Sequence, residues 1–228
     1  MNGLPAGARS PTPRVATAAD ASRVTTILVD AFADDPMWGA WAFPDPHVRR
    51  AQRTALFRVL VEGALHYPWV WLDADEIATT VWIPPGGSEL TDLQEHHVDM
   101  VLRDSLGPAT SAVLHAFEMF AEAHPSEPHY YLSLFGTAPG HAGRGVGQRL
   151  LSENLAEIDV LGVPAYLEAS DELVTLYERF GFRRLHRFAL EGGPTVNGMW
   201  REPPASPTPS GPRDEQRRTA TTRGHRPC

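Results

Sequence analysis

The feature of this chain best suited to chemistry is a glycine-rich turn. The run YYLSLFGT (130–137) has strand character, PGHAGRGVG (139–147) follows it, and a helical stretch comes next. Glycines at 143, 145 and 147 let the backbone approach a bound group, so that successive amides and the positive end of the helix face an anion. Spacing excludes two phosphate binders. A Walker loop requires Gly-Lys-Ser/Thr, and no lysine occurs in the chain. A dinucleotide fingerprint needs its third glycine three residues after the second, where Gln148 or Leu150 stands instead. What remains is a cradle for another pyrophosphate. A second group, Asp34, Asp35, Trp38 and Trp41, has the types that hold a cation, since carboxylates attract it and indoles stack on it. The same residues equally suit a helix end and a core.

Several elements must hold these groups in place. RVAT (14–17) reads as a short strand, and Asp20 is placed to cap a helix over 21–32 that Asp34, Asp35 and Pro36 end. Ala51, Ala55, Leu56, Val59, Leu60 and Ala64 recur at helical spacing and predict a second helix over 47–66. WVWL (69–72) and IATTVWI (77–83), separated by DADE, predict a hairpin whose Trp69, Trp71 and Trp82 belong to the core. Residues 90–123 read as helical with a break at Gly107 and Pro108. Beyond the strand 130–137 and the glycine turn, a helix over 148–158, a strand over 165–170 and a helix over 172–180 stopped by Gly181 are expected. A hairpin of 183–190 with 195–201 closes the series. An antiparallel start and a later crossover predict a mixed α/β (α+β) domain.

The run LFGTAPGHAGRGVGQRLL resembles the acyl-CoA-binding motif of the GCN5-related N-acetyltransferases, the GNAT family. The core of that motif is Gln or Arg, two residues, Gly, one residue, then Gly or Ala. Gly145 and Gly147 match its small positions; Ala142 stands where the family usually has Gln or Arg, and Arg144 is common at its own place. YLEAS and LYERFGF resemble the next strand and helix, with Tyr177 on the family's tyrosine and Leu173 where an asparagine often precedes it. AFADDP, VWIP and EPHYYL resemble the puromycin N-acetyltransferase branch, which acetylates a small amine. The likeness spans 14–201 in order of elements and is specific over 130–182.

The resemblance implies the GNAT N-acyltransferase fold over 14–202, with a mostly antiparallel central sheet, a V-shaped split between the strands 130–137 and 165–170, and flanking helices. It implies acetyl-CoA as cosubstrate, held by Phe135, Gly136, Thr137, His141, Ala142, Gly143, Arg144, Gly145, Val146 and Gly147, with the Phe135 and Thr137 backbone pairing the CoA arm. Transfer is then direct, which agrees with the only cysteine being Cys228. Tyr177 becomes the candidate general acid toward the departing thiolate. Strand alternation puts Tyr166, Glu168 and Ser170 on one face, which makes Glu168 a candidate base, with Glu127 and His129 as alternatives. Asp34, Asp35, Trp38 and Glu127 are candidate substrate contacts. His96 and His97 face no complementary ligands, and no metal is expected.

Composition narrows the partners. A chain of 228 residues, 42% hydrophobic, predicts one domain. Up to Glu202 there are fifteen arginines against twenty-six acids, a balance that disfavours nucleic acid and favours cationic partners. The ends, 1–13 and the Pro/Ser/Thr/Arg-rich 203–228, are expected to be disordered. No apolar run suits a membrane or a signal peptide, so a cytoplasmic protein with no membrane partner is expected. Arginine without lysine and abundant Ala, Gly and Pro point to a GC-rich, bacterial coding sequence. The resemblance implies a protein that acetylates a small, antibiotic-like amine, expected to be a monomer or homodimer; a protein N-acetyltransferase and a non-catalytic acyl-CoA sensor are the alternatives.

Overall fold

The computed structural model describes residues 12–90, 92–107 and 110–204. Runs rich in β-branched and aromatic residues form seven strands there: β1 (Arg14–Val15), β2 (Val70–Leu72), β3 (Ala78–Ile83), β4 (Tyr130–Thr137), β5 (Ala165–Ser170), β6 (Arg183–Ala189) and β7 (Thr195–Arg201). They make one sheet in the order β1-β2-β3-β4-β5-β7-β6. β4 and β5 are the parallel pair, and every other pairing is antiparallel. A parallel pair needs a crossover, which the helix α5 (Val146–Leu161) supplies.

Helices α1 (Ala21–Ala31) and α2 (Arg49–Ala64) bury Val24, Leu28, Leu56 and Phe57 with Leu72, Val81 and Leu134 of the sheet. On the other side Leu151, Leu155 and Ile158 of α5 pack with Leu132, Leu167 and Met199. The helices α3 (Asp92–Leu106) and α4 (Thr110–Ala123) join the first of these cores through Val98, Leu102 and Val113. No helix among the described residues is long and apolar enough to cross a membrane.

Two irregularities of the sheet shape the site. Val81 pairs with Leu134 and Trp82 with Leu132, so Ser133 is an extra residue in β4, a bulge. Leu132 and Leu134 accordingly enter different cores, although a regular strand would put both on one face. β4 and β5 pair only over Tyr130–Leu132 and Ala165–Leu167. From Ser133 and Glu168 onward the strands part, and a V-shaped split opens.

The mixed α/β class, the mostly antiparallel sheet and the flanking helices agree with the sequence expectation, and the boundaries differ where local geometry intervenes. β1 stops at Val15. Asp20 occupies the cap position of α1, but its carboxylate accepts from the Thr17 N–H at 2.8 Å and from the Arg14 guanidinium at 2.7 Å, and makes no cap bond to α1. Helix α5 begins at Val146 because Gly145, at φ 79°, is its N-cap. The helix expected over 172–180 is a 3-10 turn, Asp171–Leu173, leading into the short α6 (Val174–Glu178). The expected disordered ends lie outside the described residues, apart from Thr12, Pro13, Pro203 and Pro204.

Candidate active site

The split has a defined backbone edge. Ala138 N–H donates to the Ile77 carbonyl at 2.8 Å, in register with the Ala78–Thr137 pair. Hydrogen-bonded and non-bonded pairs alternate along an antiparallel ladder. Gly136 therefore directs its backbone groups to β3, and Phe135 and Thr137 direct theirs to the split. Gly136 also admits α1, since a Cβ there would lie 2.8 Å from the Ala31 Cβ.

Beyond the end of β4 the chain turns through Pro139–His141 into α5. Gly143 and Gly145 have φ of 76° and 79°, and open space surrounds both. A Cβ at Gly147 would overlap Thr137 Oγ1 and come within 3.0 Å of the Phe135 ring, so α5 sits directly on the end of β4. Its first amides have no partner within the helix. Ala142, Gly143, Arg144 and Gly145 are exposed around them, and His141 and Val146 are half-buried.

A cavity of about 810 Å³ adjoins the split. Asp35, Glu89, Glu95, Asp99, Glu127 and Glu168 line it, and no arginine does among the described residues. Among these acids is Glu168 on β5, whose side chain is 9% exposed and whose Oε1 has no hydrogen-bond partner among the described residues. Burial pushes this carboxyl up to about 8, against the opposing pull of the Tyr131 and Tyr166 hydroxyls. His124 Nδ1 is 3.7 Å from Glu168 Oε1, beyond hydrogen-bond reach. Burial, with the neighbouring His129, holds His124 down at about 4, so the imidazole is neutral near pH 7 and the two do not form an ion pair. His129 donates from Nδ1 to the Glu127 carbonyl at 2.6 Å, a tautomer fixed because a carbonyl can only accept.

Tyr177 of α6 reaches the same cavity and is 6% exposed. Burial, and then the Asp35 carboxylate, raise its phenol, which keeps its proton at neutral pH. Asp35 accepts the Met37 and Trp38 N–H groups at 2.9 and 2.7 Å, yet burial dominates and raises its carboxyl. The buried Arg53 donates to the Phe32 and Trp38 carbonyls at 3.0 and 3.2 Å, which pins both ends of this wall. Trp38 completes it against Phe57 and Phe117.

Tyr177, Glu168, Asp35, Trp38, Glu127 and Phe135 thus line one cavity. Asp34 does not: it is exposed outside the lining, because the chain turns Asp35 inward to hold the Met37 and Trp38 amides. His141 to Gly147 lie apart from the cavity, at the amino end of α5. Sequence reasoning passed over Glu89, Ser133, His124 and Tyr131. The carboxylate in the PPGGSEL loop resembles any solvated loop acid, and the bulge at Ser133 is visible only in the pairing with β3.

Residues 119–199, which hold the split, the glycine turn and Tyr177, match the Acetyltransferase (GNAT) domain. Over these residues the chain is similar to GNAT acetyltransferases. An acetyltransferase of Corynebacterium glutamicum, described as histone acetyltransferase HPA2 and related acetyltransferase, has a similar structure with a TM-score of 0.64 at 29% identity, over 87% of this chain and 99% of that one. The polyamine N-acetyltransferase of Drosophila melanogaster matches at a TM-score of 0.58 and 16% identity, over 84% and 99%. An agmatine N-acetyltransferase matches at 0.57 and 16%, over 84% and 98%. At 16% identity the likeness is one of fold.

The matched GNAT family takes acetyl-CoA as acyl donor, and the geometry of this site fits it. The Phe135 and Thr137 backbone groups offer an unpaired strand edge to an amide-bearing arm. The Cβ-free turn at Gly143 and Gly145 leaves room for a pyrophosphate at the amino end of α5. Among the described residues, no three His, Cys, Asp or Glu side chains group as metal ligands.

Proposed function

We propose that this chain transfers an acetyl group from acetyl-CoA to the amine of a small cationic molecule, by direct attack within the cavity. The observation that carries this reading is Glu168, a buried carboxyl with an unpartnered oxygen at the point where β4 and β5 part. A buried carboxyl with one unpartnered oxygen attracts an ammonium group, and the arriving cation lowers its pKa toward the ionised form. Residues 14–202 act together as one catalytic unit.

Acetyl-CoA supplies an activated thioester. The Phe135 and Thr137 backbone groups and the Gly143–Gly147 turn bind and orient it. Glu168 takes a proton from the substrate ammonium, which frees the nitrogen lone pair for the carbonyl carbon. The nitrogen–carbon bond forms, the carbon–sulfur bond breaks, and the Tyr177 hydroxyl gives its proton to the departing sulfur. Asp35 and Trp38 hold the substrate against the cavity wall. Glu168 then releases this proton to solvent.

A small amine is favoured by the resemblance to the puromycin N-acetyltransferase branch and by the acidic cavity. The polyamine and agmatine enzymes, related in fold, act on small cationic amines by name, which supports the same class. The test is mass spectrometry of products formed from acetyl-CoA with a panel of small amines and a lysine-bearing histone peptide. N-acetylation of small amines with the peptide left unmodified is expected. Acetylation of the peptide alone would replace this reading with that of a protein acetyltransferase.

A further inference from the structure

Glu89 lines the cavity but has no part in the transfer chemistry. It belongs to the loop between β3 and α3, and that loop is firmly seated. A Cβ at Gly63 of α2 would overlap the Glu89 carbonyl oxygen, so the loop backbone rests directly on the helix. Ser88 N–H donates to the Tyr67 hydroxyl at 3.1 Å on one side of Glu89, and the Ser88 hydroxyl donates to the Leu90 carbonyl at 2.6 Å. The Glu89 carboxylate itself accepts from the Ser133 hydroxyl.

Ser133 is the bulge residue of β4, and Glu168 is the first residue of β5 beyond the last strand pair, Leu132–Leu167. The two carboxylates therefore meet at one opening, close enough for Glu89 to disfavour the charge on Glu168, while burial raises Glu89 as well. Among the described residues no arginine lines the cavity, the chain has no lysine, and His124 is held neutral. From α3, Glu95 also lines the cavity, while Asp99, four residues on, is paired with Arg103 at 2.8 Å. An ammonium group at the unpartnered Glu168 oxygen would answer one buried acid and leave Glu89 without a counter-charge.

We propose that Glu89, held by Ser133, binds a second ammonium group of the acceptor, so that this cavity selects diamines over monoamines. The inference rests on the acetyl-transfer reading for its catalytic consequence, and the binding subsite itself does not depend on turnover. Charge-assisted hydrogen bonds in a buried site give discrimination of about 10- to 100-fold.

The experiment compares putrescine with butylamine and cadaverine with pentylamine on the full chain, E89Q and S133A. Each is read both by thiol release from acetyl-CoA and by calorimetric amine binding to the CoA-loaded protein. In the parent chain kcat/KM for the diamine should exceed that for the matched monoamine by about 30-fold. That ratio should fall to within a few-fold in E89Q, chiefly through KM, and S133A should fall between. Retained CoA binding identifies folded variants. Equal use of diamine and monoamine, or a preference that survives E89Q, overturns the proposal. Glu89-dependent diamine binding without thiol release would uphold the subsite and reject the transfer reading, whereas absence of amine binding would reject the subsite.

Discussion

Glu168 Oε1 lies 3.7 Å from Nδ1 of His124 with no hydrogen bond between them, and burial drives both groups toward their neutral forms. The carboxyl rises to about 8 while the imidazole falls to about 4. Over the interval between those values neither carries its charge in the empty cavity, so an incoming ammonium group supplies the interaction that ionises Glu168.

The first consequence is a pH profile. As base, Glu168 must be ionised, so kcat/KM should rise with pH through an apparent pKa near 8. Glu168→Gln should lower kcat about 100-fold and remove that limb. Steady-state kinetics across the alkaline range check it; an unchanged limb in the variant would assign the titration elsewhere.

Stability should carry the same signature. Glu168 is raised from 4.5 in the unfolded chain to about 8 when folded, so the unfolded state binds fewer protons between those values and stability falls as pH rises through them. His124 acts oppositely: lowered from 6.5 to about 4, it costs stability as pH falls through that window. Glu168→Gln should therefore melt higher than the parent above pH 8, by the equivalent of a few kcal/mol, and the gap should shrink toward pH 5. A constant difference in Tm across pH would contradict this.

Tyr177→Phe should lower kcat about 100-fold while acetyl-CoA affinity changes less than about threefold. The ring already packs against Phe182, with centroids 5.9 Å apart, and phenylalanine preserves that contact. Equal loss of turnover and CoA binding would mark the tyrosine as structural.

Gly147→Ala should destabilise the fold by about 1–3 kcal/mol, because its Cβ would meet Thr137 Oγ1 and the Phe135 ring where α5 rests on β4. Gly140→Ala, in the same turn, meets nothing within 4 Å and has no positive φ, so its Tm should stay near that of the parent. Thermal melts of the two variants check this; similar losses would mean that α5 is not seated as described.

Much of this arrangement was legible in the residues. Strand character marked β4 and β5 at their observed limits, and the glycines at 143, 145 and 147 marked the turn into α5. Three features were not legible, each because it depends on a distant partner. The bulge at Ser133 exists only relative to β3. Asp34 and Asp35 are equivalent as neighbouring acids until the Met37 and Trp38 amides select the second. Glu89 becomes a cavity group only because Gly63 and Ser133 fix its loop.

Acetyl transfer to a small amine is tested most directly by thiol release from acetyl-CoA as a function of amine concentration. Saturable release that depends on the amine, with equimolar N-acetylated product, is the predicted result. Binding of acetyl-CoA without release toward any amine or peptide would contradict it and leave a sensor of acyl-CoA.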